Sequence, residues 1–251
     1  MSSEFPSWRS YWDFARALLS ESRYIHTAPV VQFLDAVRDT APTRTRNLDA
    51  GTRLFRAQLG CIVETVVHGD PDEGTEYEVE EEFPFGAERM KPIPGRALEG
   101  RANPKGIPYL YLATDLNTAI AEIRPWVGAT ISVGQFSTTR STRLIDCTVD
   151  VSRKIYLSST EPPSAEREKA VWGDIDGAFS RPVTPTDDHA AYVPTQVLAE
   201  LFRNMGYDGI AYRSSVGPGT NIALFSMESP VMVGSGLFLV KGVEFHFAQV
   251  G

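Results

Sequence analysis

EGRANPKGIPYLYLATDLNTAIAEIRPW, residues 99–126, reads as a glycine-bracketed loop, a strand and a short helix in succession. IPYLYLAT has the aromatic and aliphatic content of a strand. DLNTAIAEIRPW predicts a helix, which Asp115 or Asn117 can cap and Pro125 ends. The apolar residues serve a fold. Arg101, Tyr111 and Glu122 need another reason to share one strand-and-helix unit.

Upstream, SYWDFARALLSES places Tyr11, Phe14, Leu18 and their neighbours at helical spacing. APVVQFLDAVRDT does the same with Val30, Phe33, Leu34 and Val37, and Pro29 suits a first helical turn. APTRTRNLDAG reads as a linker. The expected division is an N-terminal helical extension over 1–48 and a second unit over 49–251. TRLFRAQLG reads as a strand, and DPDEGTEYEVEEEF (70–83) as an exposed acidic loop or hairpin. Downstream, ATISVGQFS, TRLIDCTV, YDGIAYRS and NIALFS are strand candidates. VPTQVLAELFRNMG is an amphipathic helix with Gly206 at its C-terminal cap. SGLFLVKGVEFHFAQV alternates well enough to close a sheet edge. Helices first, then short strands with a few helices, give an α+β class rather than a regularly alternating parallel sheet.

The 251 residues, 42% hydrophobic and 22% charged, suit a globular chain with a sizeable core. No apolar run reaches the length of a membrane span, and the N-terminus lacks the pattern of a signal peptide. Two cysteines are too few for a disulfide framework or a zinc site, and the four scattered histidines show no ligand spacing. His246, in an alternating segment, reads as structural or surface. A cytoplasmic protein with free thiols and no bound metal is expected. The formal net charge of −8 disfavours direct nucleic-acid binding. The acid is uneven: Arg89, Lys91, Arg96, Arg101 and Lys105 face a single Glu99 in the segment 89–105. Charge alone favours a solvated loop there; an anionic small ligand is the sharper reading.

Four places stand out. Arg56, in an apolar strand, needs a carboxylate, an anion or water for its charge. GRANPKG brackets Arg101 and Asn103 between glycines and can aim a guanidinium and backbone donors at a phosphate. Glu122 sits among Ala119, Ile120, Ala121 and Ile123, where a half-buried carboxylate is expected. YRSSVGPGTN sets Ser214 and Ser215 at a strand end before Asn221, good ligands for ribose or phosphate oxygens. For Arg56 an edge position facing water weighs about as much as an ion site; each of the other three alone is more often an ordinary turn or salt bridge. Together they suit cleavage of an N-glycosidic bond through an oxocarbenium-like transition state. A carboxylate steadies the cation, arginines hold a diphosphate and a tyrosine ring packs on the departing base. NAD needs all three services, and its cationic nicotinamide leaves without a general acid.

The order GRANPKGIPYLYLATDLNTAIAEIRPW, YVPTQVLAELFRNMGYDGIAYRSS, NIALF resembles the RES domain family, over roughly residues 50–245. The resemblance implies an ADP-ribosyltransferase-like fold of short strands with flanking helices, here behind an N-terminal helical extension. It implies NAD as substrate and no prosthetic group. The activity it implies is NAD phosphorolysis, with inorganic phosphate as co-substrate, or NAD hydrolysis. The alternatives are mono-ADP-ribosylation of a protein and a non-catalytic NAD-sensing module. Many family members are toxins beside an Xre-type antitoxin, which makes such an antitoxin the expected partner; self-association is a further option. The family glutamate falls on Glu122, its serine on Ser214 or Ser215, and its arginine on Arg56 or Arg101. Tyr111 takes the aromatic position before the helix. Arg101, Tyr111, Asn221 and Asn103 are then substrate-binding, and Glu122, Arg56 and the serine pair catalytic. The N-terminal helices and the acidic insertion depart from the compact toxins of the family. A negative flap would repel an anionic ligand, so the insertion is expected to lie away from the cleft.

Overall fold

The computed structural model describes residues 4–152, 160–181, 189–244 and 249. His246 lies outside them. The chain opens with helices α1 (Ser10–Ser20) and α2 (Ala28–Thr40). Strands β1 (Thr45–Leu48), β2 (Arg53–Leu59), β3 (Ile62–His68) and β4 (Tyr77–Phe83) follow, then the single turn of α3 (Ala87–Met90). Next come β5 (Leu110–Ala113), α4 (Leu116–Glu122), β6 (Thr130–Ser137), β7 (Thr142–Asp146) and α5 (Ser164–Ser180). The last elements are α6 (Val193–Asn204), β8 (Gly209–Arg213), β9 (Thr220–Leu224) and β10 (Val231–Leu239).

Eight strands form one sheet in the order β1-β7-β8-β9-β5-β2-β6-β10. Its pairs are antiparallel except β7 with β8. The acidic segment is a hairpin: β3 and β4 make a separate two-stranded sheet. Its second strand carries Glu78, Glu80, Glu81 and Glu82, which would be costly to bury.

The linker reading of APTRTRNLDAG does not hold. Ala41–Arg44 is a 3-10 helix, and Thr45–Leu48 pairs with β7 at the sheet edge. TRNL carries no apolar signature because an edge strand buries little; only Leu48 points into the core.

The N-terminal helices share the main core. Tyr11, Phe14, Leu18, Phe33 and Val37 are buried in one cluster with Trp172 and Phe179 of α5 and Phe202 of α6. The Phe14 and Phe33 rings stack with centroids 4.3 Å apart. The Trp172 indole donates to Thr40 Oγ1 at 3.1 Å. Each large apolar side chain buried this way contributes about 1.5–3 kcal/mol. The helices are therefore held by the same packing as the sheet. No described helix is long and apolar enough to cross a membrane.

Candidate active site

The site forms where the sheet parts. Among the described residues β2 and β5 meet at one paired position, Phe55 opposite Ala113. Past it the Arg56 side chain takes the place of a strand donor: Nη1 donates to the Tyr111 carbonyl at 2.9 Å. Arg56 Nε is buried without a hydrogen-bond partner. No described carboxylate pairs with this guanidinium. Burial lowers its pKa, with the nearby Arg89 charge adding a smaller push. An arginine stays charged through such a shift, so a mostly buried cation is left without a counter-ion among the described residues.

The GRANPKG loop is organised around one hydroxyl. Tyr111 Oη donates to Asn103 Oδ1 at 2.7 Å and accepts from the Ala102 amide at 3.0 Å. Asn103 Nδ2 donates to the carbonyls of Leu98 and Ile107, both at 2.9 Å. Asn103 is buried, and its amide is engaged by the loop itself. Gly100 is required here: a Cβ would sit 2.6 Å from Tyr111 Oη. Helix α6 clamps the loop from behind. Thr195 Oγ1 donates to the Arg101 carbonyl at 2.5 Å, and Gln196 Nε2 to the Gly100 carbonyl at 3.0 Å. Arg101 is thereby aimed across the cleft, where its Nη1 donates to the Phe179 carbonyl at 2.5 Å. Burial pushes the Tyr111 phenol well up, so it stays protonated.

Glu122 ends α4, and its carboxylate is exposed to the cleft rather than half-buried as its neighbours suggested. The last residue of a helix reaches past the turn its apolar neighbours cover. Two groups hold Oε1: the Ser214 hydroxyl donates at 2.7 Å and Asn221 Nδ2 at 2.5 Å. Ser214 Oγ in turn accepts from the amides of Val216 at 3.2 Å and Gly217 at 2.9 Å. Its proton is thus directed at Glu122. Ser215 is exposed and lines no part of this cleft. The VGPG turn packs on the start of α4, where Asp115 caps the Thr118 amide at 2.8 Å and the Gly219 amide donates to Thr118 Oγ1 at 2.8 Å. A Cβ on Gly219 would lie 1.9 Å from Asp115 Oδ2.

Arg56, Arg101, Tyr111, Glu122 and Asn221 thus line one cleft of about 340 Å³, with Ser214 behind Glu122. Asn103 lies behind Tyr111. Three aromatic residues of the cleft were not singled out in the sequence: Phe55, Tyr192 and Tyr212. Tyr212 is buried, and its phenol is pushed up by burial, with Tyr111 and Glu122 adding and Arg101 opposing. Strand alternation carried a signal for it, since residues 212 and 214 share a face of the extended chain. The Arg213 amide and guanidinium bind the fully buried Asp176 of α5, which anchors the end of β8.

The sequence matches the RES domain family over residues 75–245, and the chain belongs to that family. Arg56 precedes the matched span. No curated protein matches the chain. Among solved structures, it is similar to a chain of the crystal structure of the M. tuberculosis MbcT–MbcA toxin–antitoxin complex. That likeness has 14% identity and a TM-score of 0.43, covering 79% of this chain and 90% of the other.

Proposed function

We propose that the chain degrades NAD by cleaving the bond between nicotinamide and ribose, and that it is the toxin of a toxin–antitoxin pair with an Xre-type antitoxin. Membership of the RES family supports the substrate. The observation that carries the chemistry is the Glu122 carboxylate, held at one oxygen by Ser214 and Asn221 and open to the cleft at the other.

In this reading the carboxylate meets a ribose hydroxyl and faces the positive charge that develops at the anomeric carbon. The C–N bond breaks with its electron pair going to the nicotinamide ring nitrogen, which becomes neutral. An oxygen of inorganic phosphate, or of water that releases a proton, bonds to the anomeric carbon in its place. Arg56 and Arg101 hold the diphosphate, where a guanidinium gains from a doubly charged acceptor. Tyr111 and Tyr212 wall the nicotinamide side. Asn103 and Ser214 act by positioning: one sets the loop, the other the carboxylate.

Product analysis tests the reading. The purified chain is incubated with NAD, with and without inorganic phosphate, and the products are weighed by mass spectrometry. ADP-ribose-1″-phosphate formed only with phosphate marks a phosphorylase, and ADP-ribose formed without it a glycohydrolase. ADP-ribose attached to an added protein marks a transferase instead. Intact NAD in every arm refutes cleavage.

A further inference from the structure

A second cleft, of about 370 Å³, opens beside the first and shares Arg56, Gly100 and Tyr111 with it. Its outer wall is the segment that follows the acidic hairpin. Arg89, Lys91 and Arg96 line that wall, and with Arg56 they put four cations around a space whose one carboxylate is Glu99. Gln196 Nε2 already donates to Glu99 at 3.0 Å.

The cations are displayed by a fixed frame. Met90 is fully buried among Leu54 and Phe136, which sets Arg89 and Lys91 on either side of an anchored residue. Arg89 lies over the Phe85 ring, 5.0 Å from its centroid, and its carbonyl accepts from Gln58 Nε2 at 3.2 Å. Lys91 Nζ donates to the Met227 carbonyl at 2.8 Å. None of these four cations pairs with a described carboxylate. The acidic hairpin does not neutralise them: no residue between 60 and 84 lines either cleft. Gln58 Oε1, on the same wall, is buried without a hydrogen-bond partner.

The two clefts meet at Arg56. A diphosphate placed on that guanidinium sends one nucleoside of a dinucleotide into each. With the nicotinamide half beside Glu122, the adenosine half enters the second cleft. Adenosine is neutral and gives Arg89, Lys91 and Arg96 nothing to bind. A phosphate on its ribose does, as arginines near the adenosine ribose do in NADP-binding proteins. We infer that this second cleft seats the 2′-phosphate of NADP on Arg89, Lys91 and Arg96, and that NADP is the preferred substrate. The inference rests on the dinucleotide reading of the first cleft.

Two measurements separate the seat from that reading. The first is calorimetric binding of adenosine 2′,5′-bisphosphate and of adenosine 5′-monophosphate, which differ only in the 2′-phosphate. The bisphosphate is expected to bind about tenfold tighter at moderate salt, and R96Q, at an exposed position, to erase most of that difference. Equal affinities for the two probes overturn the seat. The second is kcat/KM for NADP and NAD in the parent and R96Q. NADP is expected to lead in the parent and to fall about tenfold in R96Q, with NAD within about twofold. Equal losses for both overturn the preference. Cleavage of NAD with no gain from the 2′-phosphate sinks the seat and spares the cleavage reading. Preference for the bisphosphate with neither dinucleotide cleaved does the reverse.

Discussion

Ser214 donates its hydroxyl proton to Glu122 Oε1 at 2.7 Å, across the gap between the end of β8 and the end of α4. The hydroxyl oxygen is held by the Val216 and Gly217 amides, so the donor cannot turn away without breaking two bonds. The carboxylate is thereby fixed in one orientation before any ligand arrives.

The serine pair should therefore divide. S214A removes one of two donors to Glu122, and kcat for NAD should fall about 10- to 100-fold with KM nearly constant. S215A should stay within about twofold of the parent. Steady-state kinetics of both variants checks this, and an equal loss in S215A would contradict the assignment of Ser214.

Removing the Tyr111 hydroxyl should loosen the GRANPKG loop. Y111F leaves the Ala102 amide and Asn103 Oδ1 without their partner in a buried place. The expected cost is about 1–3 kcal/mol in urea unfolding. An unchanged midpoint would mean the loop is held by α6 alone.

Arg56 should split stability from binding. Its buried guanidinium has no described counter-ion, so R56Q should leave the free protein as stable as the parent or more so. ADP-ribose binding should fall at least about tenfold. Thermal melts with and without ADP-ribose read both effects. A large loss of stability without ligand would show that Arg56 is structural.

Asp174 of α5 makes the junction with α1 depend on pH. Burial pushes its carboxyl up to about 6, against the opposing pull of the Trp12 indole donor and the Arg181 charge. The native state then binds a proton more tightly than the unfolded chain, so stability falls as pH rises from about 4 to about 6 and stays lower above. D174N keeps an acceptor for the indole and removes the charge. Its Tm should exceed the parent's at pH 8 and match it near pH 4. Equal melting temperatures at pH 8 would contradict the burial argument.

Much of this was legible in the chain. IPYLYLAT and TAIAE announce a strand and a helix by composition and capping, and both stand where the spacing puts them. The amphipathic stripe of α6 is equally direct, and its buried Leu198, Leu201 and Phe202 follow it. β1 was not legible, because a polar edge strand is defined by its partner β7 and not by its own residues. The sequence left Ser214 and Ser215 equal; only the approach of α4 to the VGPG turn separates them. The pair of Arg213 with the buried Asp176 joins residues 37 apart, beyond any local pattern. Nor did charge alone single out Arg89, Lys91 and Arg96, since a basic loop and a cation-lined cleft look alike until Met90 is seen to anchor them.

The most direct test of the account is NAD turnover by E122Q. The substitution keeps the size of the side chain and an oxygen for Ser214 and Asn221, and removes the charge that faces the developing cation. A loss of at least about 100-fold in kcat, with the fold intact by circular dichroism, is the predicted result. Turnover equal to the parent would contradict it, and the Glu122 carboxylate would no longer be the centre of the chemistry.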